Sequence, residues 1–250
     1  MEQVLKIEKL TKYYNSLEVL REVDFHVKEG EFVSVVGPSG CGKTTLLKIV
    51  SGLIEPTKGK IKIKGKSVKS ALKQRELGFV FQNPTLLPWR NVIKNIELPL
   101  EILNEKPLET VKDLLRIVGL EGFENYYPNQ LSGGMQQKVA IARALVFEPS
   151  ILLMDEPFGA LDEITRNHMN LELLRIWQAE KNATSTIVFV THSIPEAVFL
   201  SDKAIILTKR PAEIEKIINI DLPRPRTNEI KSSQKYFNLI ECLRKTLKES

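Results

Sequence analysis

The sequence has few cysteines and no long hydrophobic run, and each absence excludes a class of protein. The two cysteines, Cys41 and Cys242, are too few for a disulfide framework. The longest apolar runs, such as residues 187–190 and 204–207, have the length of a strand and are far too short to span a membrane. The N-terminal residues lack the apolar core of a signal peptide. We therefore expect a soluble protein from a reducing compartment.

Charge of either sign is also too thinly spread to define a partner. The net charge is +5 over 250 residues, which is weak support for binding to nucleic acid or anionic lipid. The clearest basic stretch is residues 58–66, where lysines alternate with small or apolar residues. This alternation predicts a strand with one face in water and the other on the core. Contact with lipid headgroups or nucleic acid is the alternative interpretation.

A glycine-rich stretch lies between the apolar runs 31–36 and 46–50, which predicts a turn from a strand into a helix. It matches the phosphate-binding pattern G-x-x-x-x-G-K-[ST]. Glycines let successive backbone N–H groups point at one anion, and the helix N-terminus adds a positive dipole end. Lys43 would reach the β- and γ-phosphates, and the Thr44 hydroxyl would bind Mg²⁺. The predicted phosphate-binding residues are Gly37, Pro38, Ser39, Gly40, Cys41, Gly42, Lys43, Thr44 and Thr45.

The same stretch has a plainer interpretation as a glycine-rich turn without a ligand. The apolar strand before it and the apolar helix after it favour phosphate binding, because the pattern requires that context. Cys41 within the turn allows two further interpretations. It is either a small residue that fills the turn, which we favour, or a thiol that responds to oxidation.

Short apolar strands followed by helical segments predict an α/β fold with a mostly parallel sheet. The chain is long enough for one large domain of this kind or for two small ones. A turn at residues 13–16 is expected to separate the first two strands. Strands are expected at residues 4–10, 19–27, 31–36, 58–66, 77–81, 151–154, 185–191, 204–207 and 213–220.

Between residues 83 and 148 the strand signals disappear, and apolar residues recur at helical spacing. The clearest members of this pattern are Leu108, Val111, Leu114, Leu115 and Val118. We therefore predict a helical insertion at residues 83–148, with its last helix at residues 135–147.

Two further helices are predicted in the second half of the chain. A long helix is expected from Leu161 to about Lys181. The end of the chain carries an apolar stripe at the spacing of an amphipathic helix. The residues of this stripe are Tyr236, Ile240, Leu243 and Leu247. We expect a main domain at residues 1–222 and a helical tail at residues 223–250.

Two acidic residues follow the apolar run 151–154, at the point where a strand is expected to end. Asp155 lies where a carboxylate can hold Mg²⁺, directly or through water, beside a phosphate site. Glu156 follows at once, and the turn at Pro157 can direct both carboxylates into one cleft. Carboxylates with different neighbours can take different roles, one as metal ligand and the other as base for an attacking water.

A serine and two glycines at residues 132–134 open a predicted helix and form a second N-terminus that can receive an anion. A single ATPase site needs only one such N-terminus. The second suggests that two copies of the chain face each other, each offering this helix to the phosphate held by the other. An ordinary serine-capped helix is the alternative.

These motifs stand in an order typical of one family, and over residues 3–222 the chain resembles the ATP-binding subunit of ABC transporters. The matching segments are residues 37–45, Gln82, residues 131–135, residues 151–156, residues 160–162 and His192. The resemblance implies a P-loop NTPase core with a mostly parallel sheet, an antiparallel β subdomain and an inserted helical subdomain. It also implies hydrolysis of ATP with Mg²⁺ as a cofactor.

The resemblance assigns catalytic and adenine-binding roles to single residues. Tyr14 would stack on adenine, although the neighbouring Tyr13 is a rival for this role. Glu156 would polarise the attacking water, and His192 would contact the γ-phosphate and stabilise developing charge. The implied catalytic residues are Glu156, His192 and Lys43.

Other implied roles concern the metal and the second copy of the chain. Gln82 would sense the γ-phosphate and Mg²⁺. Ser132, Gly133 and Gly134 would contact ATP across a dimer, and Asp162 would bridge the two subunits. The implied Mg²⁺ ligands are Thr44, Gln82 and Asp155.

Four further segments resemble the group that imports nitrate, sulfonate or taurine. They are residues 86–96, 157–166, 196–202 and 222–226. That group also handles thiamine-precursor pyrimidines. Such a subunit would act as a homodimer, as a peripheral protein on the cytoplasmic face of the cell membrane. Its partners would be two separate transmembrane permease subunits and a periplasmic or extracellular solute-binding protein, and no nucleic acid is expected. The solute cannot be read from this chain, because specificity belongs to those partners.

Two alternatives stay open. The chain could serve an exporter, since the ATPase motor is alike in both directions, or it could be a soluble ABC-type ATPase that acts on nucleic acid or ribosomes. The sequence also departs from the family pattern at two places. Residues 193–195 stand where acidic residues are usual after the histidine, and Gln136 replaces a common arginine. Neither place carries the chemistry, although packing near His192 is expected to differ.

Overall fold

The computed structural model describes residues 2–105, 109–179 and 186–249, which contain ten strands, eight α-helices and two short 3-10 helices. The strands are β1 (Gln3–Tyr14), β2 (Leu17–Lys28), β3 (Phe32–Val36), β4 (Lys58–Ile63), β5 (Lys66–Ser67), β6 (Leu77–Val80), β7 (Ile151–Asp155), β8 (Thr186–Thr191), β9 (Lys203–Leu207) and β10 (Ile214–Asn219). The helices are α1 (Lys43–Val50), α2 (Val68–Lys73), α3 (Val92–Ile102), α4 (Glu109–Ile117), α5 (Gly133–Leu145), α6 (Glu163–Ala179), α7 (Ile194–Leu200) and α8 (Gln234–Glu249). The predicted α/β class is confirmed.

Six strands form the central sheet, in the order β10-β9-β3-β8-β7-β6. The strands from β9 to β6 pair in parallel, and β10 pairs in antiparallel at one edge. Every residue of β3, β7 and β8 is buried. Alternate residues of β3 enter two different cores, since Phe32 and Val36 lie in one and Val33 and Val35 lie in the other. The sheet is therefore covered on both faces, as parallel strands with continuous apolar runs require.

A second, four-stranded sheet is antiparallel and has the order β2-β1-β4-β5. In β4, Lys60 and Lys62 are exposed, whereas Ile63 is fully buried. The predicted strand with one face in water and one on the core is therefore confirmed over β4. It is shorter than predicted, because a turn at residues 64–65 reverses the chain into β5.

Three helices, α3, α4 and α5, lie between β6 and β7 in the sequence. The loop before α3 is held by Asn95, which is fully buried. Asn95 Oδ1 accepts a hydrogen bond from the Leu87 backbone N–H at 2.8 Å, and its Nδ2 donates to the Arg90 carbonyl at 2.8 Å. Helix α5 approaches β6 closely, because a Cβ added to Gly78 would stand 2.7 Å from the Ala144 carbonyl oxygen. This helix therefore connects the helical segment to the central sheet.

These helices agree with the helical character predicted for residues 83–148, although the boundaries of the insertion stay a prediction. Leu108, a member of the predicted pattern, lies outside the described residues. So do Lys181 and Ser185, the predicted end of α6 and start of β8. Among the residues that are described, no helix is long and apolar enough to cross a membrane.

Some predicted boundaries are wrong. The turn expected at residues 13–16 covers only its last two residues, because Tyr13 pairs with Glu18 and Tyr14 pairs with Leu17 at the end of the β1–β2 hairpin. Helix α5 begins two residues earlier than predicted and ends two residues earlier. The short helices α2 and α7 were not predicted, because six or seven residues are too few to show a helical period.

The C-terminal tail packs on the core. Helix α8 buries Tyr236, Ile240 and Leu243, as the amphipathic pattern predicts. Before this helix, Arg224 forms an ion pair with Asp202 at 2.7 Å. The tail therefore contacts the main part of the chain through both charge and apolar surface, while the domain boundary at residue 222 stays a prediction.

Arg226 anchors the start of the tail inside the protein. It is 4% exposed, and its Nη1 donates to the carbonyls of Phe199 at 2.9 Å and Ser201 at 2.7 Å. Burial lowers the pKa of Arg226 to about 10, so the guanidinium stays charged at neutral pH. It therefore satisfies carbonyls at the end of α7 that would otherwise lack a donor.

Replacing Arg226 with methionine is expected to lower the free energy of unfolding by about 3 kcal/mol, because two buried carbonyls lose their charged donor. Arg244→Met is the control. Arg244 pairs with the exposed Glu241 on α8 at 2.9 Å, and its loss is expected to cost less than about 0.5 kcal/mol. Urea unfolding followed by circular dichroism measures both variants. Equal midpoints for the two would contradict the anchoring role.

Candidate functional site

A cleft of about 530 Å³ lies beside the turn between β3 and α1. Its walls come from the end of β1, the start of β2, the glycine-rich turn and the residues that follow β6, β7 and β9. The lining residues are Tyr14, Leu17, Val19, Ser39, Gly40, Gly42, Lys43, Thr44, Thr45, Gln82, Glu156 and Arg210. Both sheets therefore contribute to one site around the predicted phosphate loop.

The turn between β3 and α1 has the backbone geometry of a phosphate-binding loop. Gly42 adopts a φ of 125°, and a Cβ added there would stand 2.9 Å from the side chain of Leu20. Lys43 is 5% exposed, and its Nζ donates to the carbonyls of Gly37 at 2.9 Å and Pro38 at 3.0 Å. An ammonium held on the loop beside the N-terminus of α1 favours an anion at this place.

Thr44 and Asp155 bring two oxygen atoms together next to this loop. The Thr44 hydroxyl donates to Asp155 Oδ1 at 2.9 Å. Burial raises the pKa of Asp155, and the hydrogen bond from Thr44 opposes the rise, while the neighbouring charge of Glu156 adds to it. A cation bound at this pair would favour the ionised carboxylate.

The donor set fits Mg²⁺, which prefers oxygen ligands. In the parts of the chain that the structure describes, no group of three His, Cys, Asp or Glu side chains could hold a metal ion. Mg²⁺ commonly binds through one or two carboxylates together with the phosphates of a nucleotide. The Thr44–Asp155 pair, with Gln82 in the same cleft, is therefore suited to a metal that arrives with its nucleotide.

Glu156 lies between Lys43 and His192. Its Oε1 is 4.0 Å from Lys43 Nζ, and its Oε2 is 3.0 Å from His192 Nδ1. Its backbone φ of 44° lies in the left-handed region, which is uncommon for a residue with a Cβ and concentrates at functional sites. This turn places the carboxylate in the cleft directly after Asp155. A carboxylate with a histidine partner can act as a base toward water.

The structure separates the two tyrosines that competed for the base-stacking role. Tyr14 lines the cleft, whereas the Tyr13 hydroxyl donates to Glu18 at 2.7 Å. The Tyr14 side chain is 42% exposed, so its ring is accessible to a flat ligand. Gln82 is exposed and lines the same cleft. These positions agree with the roles implied for Tyr14 and Gln82, which stay predictions.

Three lining residues were missed in the sequence, Leu17, Val19 and Arg210. Arg210 comes from the connection between β9 and β10, and its Nη2 donates to the Gly40 carbonyl. That connection is held beside the four-stranded sheet because the Ala212 N–H donates to the Val19 carbonyl at 2.9 Å. No sequence signal could have found Arg210, since it lies 170 residues from Gly40 and belongs to no motif.

The residues predicted to contact ATP across a dimer do not line this cleft. Ser132 caps α5, where its Oγ accepts from the Met135 N–H at 3.3 Å. Asp162 caps α6, where its Oδ1 accepts from the Thr165 N–H at 3.0 Å. Within one copy of the chain these residues have capping roles, and a nucleotide contact through residues 132–134 needs a second copy.

The two departures from the family pattern have local roles. Gln136 donates through Nε2 to the carbonyls of Pro128 at 2.9 Å and Leu131 at 3.3 Å. Ser193 caps α7, where its Oγ accepts from the Glu196 N–H at 3.4 Å. Both residues therefore stabilise backbone next to predicted site residues without entering the cleft.

Cys41 is a packing residue of the loop. It is 1% exposed, and burial raises the pKa of its thiol. A Cβ added to Gly37 would stand 2.9 Å from its sulfur, so the side chain fills the inside of the turn. Because the thiolate is the reactive form, a buried thiol with a raised pKa favours the turn-filling interpretation over a redox switch.

The fold and the cleft define the class, a P-loop nucleotide-binding protein. The sequence profile of the family described as ABC transporter matches residues 20–159, which is more than half of the chain. The chain belongs to the ABC transporter family, and within it the chain is an ATP-binding subunit that hydrolyses ATP. The predicted family and enzyme class are thereby confirmed.

Relatives extend the match over nearly the whole chain. An uncharacterized ABC transporter ATP-binding protein of Methanocaldococcus jannaschii is 53% identical over 90% of this chain and 85% of its own length. The aliphatic sulfonates import ATP-binding protein of Bacillus cereus is 44% identical over 92% of this chain and 91% of its own. That of Bacillus subtilis is 46% identical over 83% of this chain and 80% of its own. The resemblance to the sulfonate-type import group is thus confirmed.

Solved structures agree with the fold. A dimeric bacterial ABC transporter cassette is 34% identical, has a TM-score of 0.75 and covers 88% of this chain and 100% of its own. The same cassette was also solved in a post-hydrolysis state bound to ADP and phosphate, with a TM-score of 0.74. A cassette of Clostridium perfringens, part of an ABC transporter complex, has a TM-score of 0.78 at 25% identity, and covers 97% of this chain and 96% of its own. The predicted ABC ATPase fold is confirmed.

Replacing Lys43 with alanine is expected to weaken ATP binding at least about tenfold, because the loop loses its buried ammonium. Lys60→Ala removes an exposed lysine of β4 and is expected to leave ATP affinity unchanged. Titration with a fluorescent ATP analogue measures both variants. Normal ATP affinity in Lys43→Ala would count against the assignment of the loop.

Proposed function

We propose that this chain is the ATP-hydrolysing subunit of an importer for a small sulfonate. The proposal is supported by the relatives described as aliphatic sulfonates import proteins and by the motifs that resemble the nitrate, sulfonate and taurine group. Taurine is one such sulfonate, and nitrate and thiamine-precursor pyrimidines are the other solutes of that group. The ATPase subunit powers uptake, while permease and binding-protein partners choose the solute.

The observation that carries this proposal is the separation of two halves of a nucleotide site on one chain. Ser39, Gly40 and residues 42–45 line the cleft, whereas Ser132 and Gly133 lie exposed at the start of α5, outside the cleft. Two copies arranged head to tail would bring the second segment of one chain to the cleft of the other. The dimeric state of the structurally similar cassette supports this arrangement. The working unit is therefore a homodimer that encloses two ATP molecules.

The residues of the cleft divide the work of hydrolysis. Lys43 would exchange its hydrogen bonds to loop carbonyls for phosphate oxygens, because a charged acceptor is the stronger partner. Glu156 would accept a proton from the attacking water, while His192 holds that carboxylate in place and presents its ring toward the developing charge. Tyr14 would offer its ring to the adenine base.

Mg²⁺ would be held by Thr44 and Asp155, with the Gln82 side chain from the same cleft. When bound, the metal neutralises charge on the transferred phosphoryl group. Asp155 is buried, so few water molecules can reach its carboxylate. A bound cation would therefore be the main partner of the ionised carboxylate.

ATP would act as the link between the two copies. Its γ-phosphate would contact Lys43 of one chain and the Ser132 end of α5 of the other, with Asp162 bridging the subunits. Hydrolysis removes that shared contact, and with it the free energy that favours the closed dimer. The closed and open states would then drive a membrane partner.

We place the permease contact on the loop before α3. Trp89 in this loop is 71% exposed, and the loop itself is fixed by the hydrogen bonds of buried Asn95. A large aromatic side chain on a rigid surface is well suited to anchor a partner helix. The dimer would sit as a peripheral protein on the cytoplasmic face of the membrane, below two permease subunits. A periplasmic or extracellular solute-binding protein would deliver the solute from the other side.

Replacing Glu156 with glutamine is expected to slow ATP turnover by about a hundredfold or more, because the amide cannot accept the proton of water. ATP binding should be retained, so the dimer should accumulate in the closed state. Phosphate release and size-exclusion chromatography with ATP measure the two effects. Glu241→Gln, on the exposed face of α8, is the control. Turnover at the normal rate in Glu156→Gln would remove this residue from its role.

Reconstitution with the permease subunits and binding protein tests the transport function. Aliphatic sulfonate is expected to stimulate ATP hydrolysis of the vesicle-embedded complex. Trp89→Glu should abolish this stimulation because the contact with the permease is lost, while the basal ATPase rate of the isolated chain stays unchanged. Leu53→Glu alters another exposed side chain, 57% accessible, and should behave like the parent protein. Stimulation by nitrate or a pyrimidine instead would identify a different solute, and solute moved outward would identify an exporter.

A further inference from the structure

A second cavity, of about 160 Å³, lies between α6, α7 and the C-terminal tail. We call it the tail cavity. Its lining residues are Glu163, Arg166, Asn167, Asn170, Ser193, Pro195, Glu196, Phe199, Lys231 and Tyr236. None of these residues lines the nucleotide cleft, and none has a role in the function proposed above.

Two polar side chains in this cavity are buried without full hydrogen bonding. Asn170 is 3% exposed and Glu196 is 6% exposed. Among the described residues, Asn170 Oδ1 and Glu196 Oε1 have no hydrogen-bond partner. The other carboxylate oxygen, Oε2, accepts from the Thr191 hydroxyl at 2.5 Å. An unpaired buried acceptor is unfavourable, so both atoms favour a ligand that brings N–H donors.

The same cavity contains two cations. Arg166 donates through Nε to the Phe158 carbonyl and through Nη2 to the Leu161 carbonyl, which leaves Nη1 without a hydrogen bond to the described residues. Lys231 donates to Asn167 at 2.9 Å, and its Nζ lies 4.3 Å from the centre of the Phe199 ring. Burial lowers the pKa of Lys231, which an anion in the cavity would reverse.

We propose that the tail cavity binds a small zwitterion that carries a primary ammonium group and a sulfonate or carboxylate group. The ammonium would donate to Asn170 and Glu196, and the anionic group would accept from Arg166 and Lys231. The cavity volume is well above the volume of about 15 Å³ that a single water molecule needs. It limits the ligand to a short chain. The proposal goes beyond the ATPase function and does not depend on which solute is imported.

The position of the cavity shows what such a ligand would join. Glu196 belongs to α7, the helix that follows His192, whereas Lys231 belongs to the tail. The tail already contacts this region, since the Tyr236 hydroxyl donates to the Pro195 carbonyl at 3.0 Å. A bound zwitterion would therefore connect the tail to the helix next to the nucleotide cleft.

Titration calorimetry on the full chain, saturated with a non-hydrolysable ATP analogue, tests this proposal with four probes. Taurine and β-alanine carry both charged groups, ethanesulfonate lacks the ammonium and ethanolamine lacks the anion. We expect taurine or β-alanine to bind at least about tenfold more tightly than either single-group probe, which corresponds to about 1.4 kcal/mol. The relative affinity of taurine and β-alanine distinguishes a sulfonate from a carboxylate ligand.

Matched variants locate the binding. Glu196→Gln replaces one acceptor of the ammonium by an amide, and Lys231→Met removes one donor to the anionic group. Each is expected to weaken binding of the preferred zwitterion at least about fivefold. Lys235→Met removes a lysine of the same tail that pairs with exposed Asp221 at 2.7 Å, and should leave this binding unchanged. Affinity for the ATP analogue, measured in each variant, reports correct folding and tests the nucleotide site separately.

Two results would overturn the proposal. If none of the four probes binds in the millimolar range, the cavity holds water only. If the zwitterion binds equally well to Lys231→Met, Glu196→Gln and the parent protein, it binds elsewhere on the chain. Should Glu196→Gln fail to fold, Lys231→Met still decides between these outcomes, since its side chain is only partly buried.

Discussion

The site depends on one constraint, that three parallel strands have their carboxyl ends side by side. Strands β3, β8 and β7 pair in register, with Val36 beside Thr191 and Val190 beside Asp155. Because these strands end at the same level, the chain leaves the sheet at the phosphate loop, at Glu156 and at His192 around one cleft. A register slip of one residue would turn the side chains to the opposite face and separate them.

The cleft holds groups in arrangements that are unfavourable in isolation. Asp155 is buried with a raised pKa, and Glu156 adopts a left-handed backbone conformation. Such arrangements persist only where surrounding contacts determine the structure, and here the sheet is packed on both faces. Arg226 follows the same rule at the tail, where a buried charge is held by backbone carbonyls. The cleft residues thus rely on the packed central sheet, and Arg226 relies on the backbone at the end of α7.

Much of the site was predictable because the residues that form it lie in short contiguous segments of the sequence. The phosphate loop, the acidic pair after β7 and the serine cap of α5 each depend on neighbours a few residues away. The resemblance favoured Tyr14 over Tyr13, but the residues alone could not exclude Tyr13, since the β1–β2 hairpin decides which of the two lines the cleft. The role of Ser132 toward a nucleotide stays a prediction, because a second copy of the chain must supply the other half of the contact.

The sequence by itself determined the family, the α/β class and the position of the glycine-rich turn between β3 and α1, because contiguous motifs reflect local backbone geometry. Only the tertiary structure decided that Arg210 reaches the loop at Gly40, and that Glu196 and Lys231 line one cavity. Those pairs are far apart in the chain and share no pattern. Their contacts form only when the two sheets, the helices and the tail are packed together, so no local signal in the sequence could reveal them.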